Sequence, residues 1–95
     1  MKTKDLDAVA RGHIRKHGYD KYYRHSLGHG IGLQIHEPPR ISVLSKSTLV
    51  SGSVVTIEPG IYIPNFGGVR IEDDIVVRNG SCEVLTRSPK ELICL

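Results

Sequence analysis

Apolar positions recur at two different periods along this 95-residue chain. Leu6, Val9, Ala10, His13, Ile14 and His17 fall at spacings of three and four, which predicts an amphipathic helix. Thr3 or Asp5 stands where an N-cap is needed, and Gly18 follows the last turn in the place of a C′ glycine. Lys16 and His17 lie near the negative end of the helix dipole. Gly12 weakens the middle by roughly 1 kcal/mol relative to alanine. This stripe predicts that one of His13 and His17 is half-buried on the core face and that the other frays at the helix end. From Val54 onward the period becomes two, with β-branched runs. Val54 to Glu58 is the first strand, stopped by Pro59-Gly60, and Ile61 to Ile63 is a second. Val69 to Val77 reads as a third, continuous strand. Asn79-Gly80 is a hairpin signal, and Glu83 to Thr86 is the returning strand.

Between the helix and these strands the pattern is irregular. Tyr19 to Arg24 is a polar-aromatic connector, followed by a stretch rich in histidine and glycine from His25 to Glu37. Pro38 and Pro39 are expected to stop regular pairing. Residues 40–52 read as a loop whose few apolar side chains pin it to the core. A helix, a glycine-rich segment, a long loop and an antiparallel meander make an α+β chain of one domain or less.

Composition narrows the classes. Hydrophobic content of 39% and charged content of 24% are those of an ordinary globular protein. No run is long enough to span a membrane, and the start lacks an apolar signal segment, so no membrane partner and a cytoplasmic location are expected. The net charge of +3 is spread along the chain, and aromatic residues are few, which argues against nucleic acid. Cys82 and Cys94 form no C-x-x-C pair and sit in apolar surroundings, where buried thiols are expected.

The chemistry is concentrated in His25, His29 and His36, interleaved with Gly28, Gly30 and Gly32. Imidazole is the commonest metal ligand, and glycine lets a backbone bend or approach closely. Glu58 and Glu72 each interrupt a β-branched run. A carboxylate there is costly to bury unless it is paired or binds a cation. Each has a plainer alternative: Glu58 at a strand end in water, Glu72 paired with Arg70. Histidine together with carboxylate suits zinc, manganese, cobalt or iron(II) rather than calcium. Open positions on such an ion activate water, which points to hydrolysis, with an iron oxygenase as the other option.

Three segments also carry a resemblance. His-Ser-Leu-Gly-His-Gly-Ile-Gly-Leu-Gln-Ile-His-Glu (25–37), Thr-Ile-Glu-Pro-Gly-Ile-Tyr (56–62) and Gly-Gly-Val-Arg-Ile-Glu-Asp-Asp (67–74) resemble, in order, the catalytic domain of the Xaa-Pro aminopeptidases and prolidases. These are pita-bread metallopeptidases related to methionine aminopeptidase. The resemblance implies that residues 1–95 are the C-terminal part of such a domain. It implies metal ligation by His29, Glu58 and Glu72, with Glu72 bridging two ions. It implies substrate handling and proton transfer at His36, a second pocket histidine at His25, and support of the carboxylates and the substrate end by Arg70. The substrate implied is a proline-containing peptide, cut between an N-terminal residue and proline.

The resemblance also marks a departure. The family uses two divalent ions (manganese, cobalt or zinc) and takes two aspartate ligands from a strand upstream of the histidine motif. Asp5, Asp7 and Asp20 precede His25 here, and none stands in that pattern. The expectation is therefore a truncated domain that binds at most one ion, weakly, is inactive alone and self-associates through uncovered strands. A methionine aminopeptidase and a non-catalytic, protein-binding pita-bread domain are the competing readings.

Overall fold

The computed structural model describes residues 1–95. Helix α1 (Thr3–Lys16) opens the chain, and a single 3-10 turn (Asp20–Tyr22) follows it. Seven strands come next: β1 (Gly28–Gly30), β2 (Glu37–Ile41), β3 (Val54–Ile57), β4 (Gly60–Ile63), β5 (Gly67–Arg70), β6 (Asp73–Arg78) and β7 (Ser81–Val84). Five form one antiparallel sheet in the order β2-β1-β3-β6-β7. The β4-β5 hairpin is a separate two-stranded sheet inserted between β3 and β6. The architecture is α+β, a helix and then an antiparallel sheet, but not a plain meander.

The helix ends as its sequence predicts and begins differently. Gly18 takes φ +82, and the N–H of Tyr19 donates back to the Ile14 carbonyl, which satisfies a late carbonyl. At the start Lys2 is the N-cap residue and no side chain caps it. The Thr3 hydroxyl instead donates to the Ser47 carbonyl and accepts from the Ser45 hydroxyl, pinning the following loop to the helix. The inward stripe is Thr3, Leu6, Asp7, Ala10 and Ile14. Val9, His13 and His17 are exposed. Neither histidine is core-facing; their rings lie 4.7 Å apart on the outside of the helix.

The core takes one residue from each of four neighbouring segments: Leu27, Ile41, Val55 and Ile75. Val55 and Ile75 are directly paired across β3 and β6, so they share a face. Leu6 and Ala10 of α1 pack onto this cluster. Each such aliphatic side chain, fully buried, stabilises by roughly 1.5–3 kcal/mol. Alternation then puts Thr56 of β3 and Asp74 of β6, which are also paired, on the sheet face turned away from the helix.

Four expectations are corrected. Pro38 and Pro39 do not end pairing: they lie inside β2, with a cis bond between them. An edge strand tolerates them because its outer side needs no N–H donor. Residues 40–52 are not all loop, since Ile41 completes β2 and is fully buried. The stretch from Val69 to Val77 is not one strand; it breaks at Ile71-Glu72, where the chain leaves the small sheet for the large one. Cys82 and Cys94 are both exposed, because β7 is an edge strand and no element covers the tail after it. The Asn79-Gly80 turn does join β6 to β7, with Arg78 opposite Ser81 and Gly80 at φ +71.

Candidate metal centre

His29 is placed by the two glycines beside it. A Cβ on Gly28 would run into the Thr56 carbonyl of β3, and one on Gly30 into the Pro38 carbonyl of β2. Only a bare backbone lets β1 fit between these strands. The His29 N–H donates to the Thr56 hydroxyl at 3.1 Å. Gly30 is opposite Val55, whose side chain faces the core, so His29 projects from the other face.

The His29 ring is fixed at one nitrogen. Nδ1 lies 2.9 Å from the Gly30 carbonyl oxygen. A carbonyl only accepts, so Nδ1 carries the proton and the neutral ring presents a lone pair at Nε2. That Nε2 is 3.3 Å from Oε2 of Glu58. Glu58 is held just past β3 by its own N–H, which donates to the Leu27 carbonyl at 2.7 Å. Both side chains are more than four-fifths buried. An imidazole lone pair and a carboxylate facing each other out of water need either a proton or a cation between them.

Glu72 is the next carboxylate. Burial and then the neighbouring Glu58 charge push its pKa above the usual carboxylate value, while Arg70 pulls the other way. Arg70 Nε lies 3.8 Å from Glu72 Oε2, and Arg70 also reaches the Tyr62 hydroxyl, which favours its charged form. Glu58 is thus the common neighbour of His29 and Glu72. No group of three His, Cys, Asp or Glu side chains closes into a cage around one point. The His29–Glu58 pair offers two donors that suit a divalent cation, but Glu72 stands beside Glu58 and outside the cleft, so the three expected ligands are not gathered around one point.

The folded chain holds the Glu72 proton more tightly than the unfolded chain does. Its stabilising effect is therefore present at acid pH and is lost as pH rises through the raised pKa. Glu72→Gln mimics the protonated form. It is expected to stabilise the metal-free chain at neutral pH by at most about 1 kcal/mol, because a side chain two-fifths exposed is screened by water. Thermal melts of both chains at acid and neutral pH check this; equal gains at the two would contradict it.

A cleft of about 550 Å³ opens over this pair. His25, His29, His36, Glu58 and Arg70 all line it; Glu72 does not. His36 is exposed in the bend between β1 and β2, and its ring meets the His29 ring edge-on at 4.7 Å. His25 lies between Tyr23 (5.2 Å) and Tyr62 (5.6 Å). Its Nδ1 is 2.8 Å from the Ser26 carbonyl, which again leaves the lone pair at Nε2. That nitrogen is buried and has no partner within the chain.

Sequence reasoning missed several cleft residues. Arg40 lines it, with Nε donating to the Ser26 hydroxyl at 3.1 Å, and so does Glu37. Arg40 follows the two prolines in a segment whose sequence predicts a loop, and β2 brings it to the cleft. Tyr23 is almost fully buried, and burial pushes its pKa up to about 12, so it remains a phenol. Asp7 and Arg11, far from the motifs, were also passed over; their spacing of four on a helix was the available signal.

A helix beneath an antiparallel sheet thus carries an imidazole–carboxylate pair in a charged cleft. The model of metallopeptidase family M24 matches residues 1–79, and the chain belongs to that family. It is 55% identical over 95 residues to the uncharacterized peptidase YqhT of Bacillus subtilis, covering 100% of this chain and 27% of that protein. It is 52% identical over 93 residues to the Xaa-Pro dipeptidase of Pyrococcus furiosus, covering 98% of this chain and 27% of that one. The solved Xaa-Pro dipeptidase of Bacillus anthracis superposes with a TM-score of 0.97 at 54% identity, over 100% of this chain and 27% of that chain. The prolidase of Pyrococcus horikoshii OT3 superposes with a TM-score of 0.93 at 50% identity, over 98% and 27%. The fold is that of prolidase pita-bread domains, and the chain spans about a quarter of the length of these relatives.

Proposed function

We propose that this chain carries one side of a divalent-metal peptidase site, the C-terminal part of a pita-bread domain that hydrolyses the bond between an N-terminal residue and proline. The observation that carries the reading is the His29 lone pair set against Glu58, with the ring locked by the Gly30 carbonyl. The relatives named Xaa-Pro dipeptidase and prolidase support the substrate class. When bound, manganese, cobalt or zinc supplies Lewis acidity and a more acidic water.

The chain's own residues then have distinct work. His29 and Glu58 hold the ion, and Glu72 supplies negative charge beside them. His36 is exposed at the cleft and is placed to exchange protons with a bound peptide. His25, with only Nε2 free, accepts a hydrogen bond from the substrate when neutral and donates one when protonated. Arg40 and Arg70 line the same cleft, where two guanidinium groups suit a terminal carboxylate. No aspartate of this chain approaches the pair closely enough to complete a cage, so a second ion needs carboxylates from outside these residues. The 95 residues alone are inactive in this reading. The test is a peptide panel on the full-length protein: Xaa-Pro dipeptides and longer Xaa-Pro peptides are cut, and Met-Ala-Ser is not. Cleavage of Met-Ala-Ser alone would contradict the reading.

The isolated chain should also self-associate. Only 13 of 95 residues are buried, while Leu33, Ile35, Leu44 and Phe66 are almost fully exposed. Strand β7 is an edge with no proline, open to pairing with another chain. The opposite edge, β2, carries Pro38 and Pro39 and is blunted. Light scattering is expected to give species larger than the monomer, and Val84→Lys on β7 to reduce them. A monomer at high concentration would contradict this.

A further inference from the structure

We propose that the Asp7–Arg11 pair is a clamp that positions His25. Its importance to catalysis rests on the peptidase reading above; its geometry does not. The Asp7 side chain is fully buried and Arg11 is about four-fifths buried. The guanidinium meets the carboxylate with two hydrogen bonds, Nε to Oδ2 at 2.8 Å and Nη2 to Oδ1 at 3.1 Å. Its remaining reach is spent on the backbone that carries His25. Nη1 donates to the Tyr23 carbonyl at 3.0 Å and Nη2 to the His25 carbonyl at 3.1 Å. Asp7 Oδ1 at 3.2 Å also shares the Leu27 N–H, which donates to the Ile41 carbonyl at 2.9 Å. The Arg11 head lies 4.3 Å over the Tyr23 ring, which stacks on His25.

The Tyr23 N–H donates to the Asp20 carbonyl and Arg40 to the Ser26 hydroxyl, but only Arg11 holds the carbonyls of Tyr23 and His25. Residues 23–26 belong to no strand, and neither the Tyr23 nor the His25 carbonyl accepts a backbone N–H. A buried ion pair is a poor way to gain stability, since well-packed apolar residues often do as well or better. Its value here is direction. Arginine presents its donors in a planar fork, so one head satisfies a carboxylate and two carbonyls at once. Lysine keeps the charge and loses the fork.

The clamp fixes the peptide plane that places the His25 ring, which lines the cleft between Tyr23 and Tyr62. His29 provides an internal comparison. Its ring is held by the Gly30 carbonyl within β1, which the sheet fixes without Arg11.

The test is imidazole nitrogen NMR on the 15N-labelled 95-residue chain, without metal, as wild type and as Arg11→Lys. The expected result is a chain with wild-type helix content and a cooperative melt. In it His25 loses the Nδ1–H signature while His29 keeps it. Retention of the His25 signature would overturn the proposal. So would loss of both signatures together, which marks a purely structural role. If Arg11→Lys does not fold, the double variant Asp7→Leu with Arg11→Met decides. A folded double variant with His25 released supports the clamp. A folded one with His25 unchanged, or one that also fails to fold, overturns it. Because no metal is added, failure of the clamp and failure of the metal reading remain distinguishable.

Discussion

Gly28→Ala is expected to abolish cooperative folding. The added methyl would meet the backbone carbonyl of Thr56, not the end of a flexible side chain. Overpacking a well-filled site costs about 1–3 kcal/mol when side chains can move aside; here β1 would have to separate from β3, so the cost is larger. A domain of this length has roughly 5–14 kcal/mol of stability at best, and this chain buries few residues. The same separation breaks the His29 N–H bond to Thr56 and displaces the imidazole. Circular dichroism melts check it. A cooperative transition within a few degrees of wild type would mean that the tight approach of β1 and β3 does not hold the fold.

Glu58→Gln should separate fold from metal binding. The amide is the same size as the carboxylate, and its NH2 can donate to the His29 lone pair that Glu58 faces at 3.3 Å. An acceptor–acceptor contact becomes a hydrogen bond, so the metal-free chain should melt no lower than wild type. Affinity for manganese should fall more than about 100-fold, beyond the 10–100-fold usual for losing a group that merely supports a ligand. A variant that unfolds, or one that keeps wild-type affinity, contradicts this assignment of Glu58.

How much of this was legible in the sequence depends on how local the determining physics is. Gly18 ends the helix and Asn79-Gly80 turns the hairpin because a positive φ is required within a few residues; such signals can be read directly. The break at Ile71-Glu72 was hidden because β-branched residues continue across it, and only pairing with two different sheets divides the strand. Pro38-Pro39 misled for the same reason: whether proline ends a strand depends on whether that strand is an edge. At the site, glycine spacing and interrupted β-branched runs marked His25, His29, His36, Glu58 and Glu72 as candidates and only the resemblance assigned their roles, whereas Arg40 enters through the fold of β2. Asp7 looked like a polar position on a helix. Its burial follows from Arg11 and from a strap sixteen to twenty residues later, a contact no local pattern encodes.

The most direct measurement is a manganese titration of the 15N-labelled chain, following paramagnetic broadening of the histidine rings. His13 and His17, with rings 4.7 Å apart on the outer face of α1, are a rival site within the same molecule. The expected result is broadening of His29 and His36 first, at one ion per chain, and its loss in Glu58→Gln. Broadening that begins at His13 and His17, or that leaves His29 sharp at saturation, would contradict a metal site at His29 and Glu58.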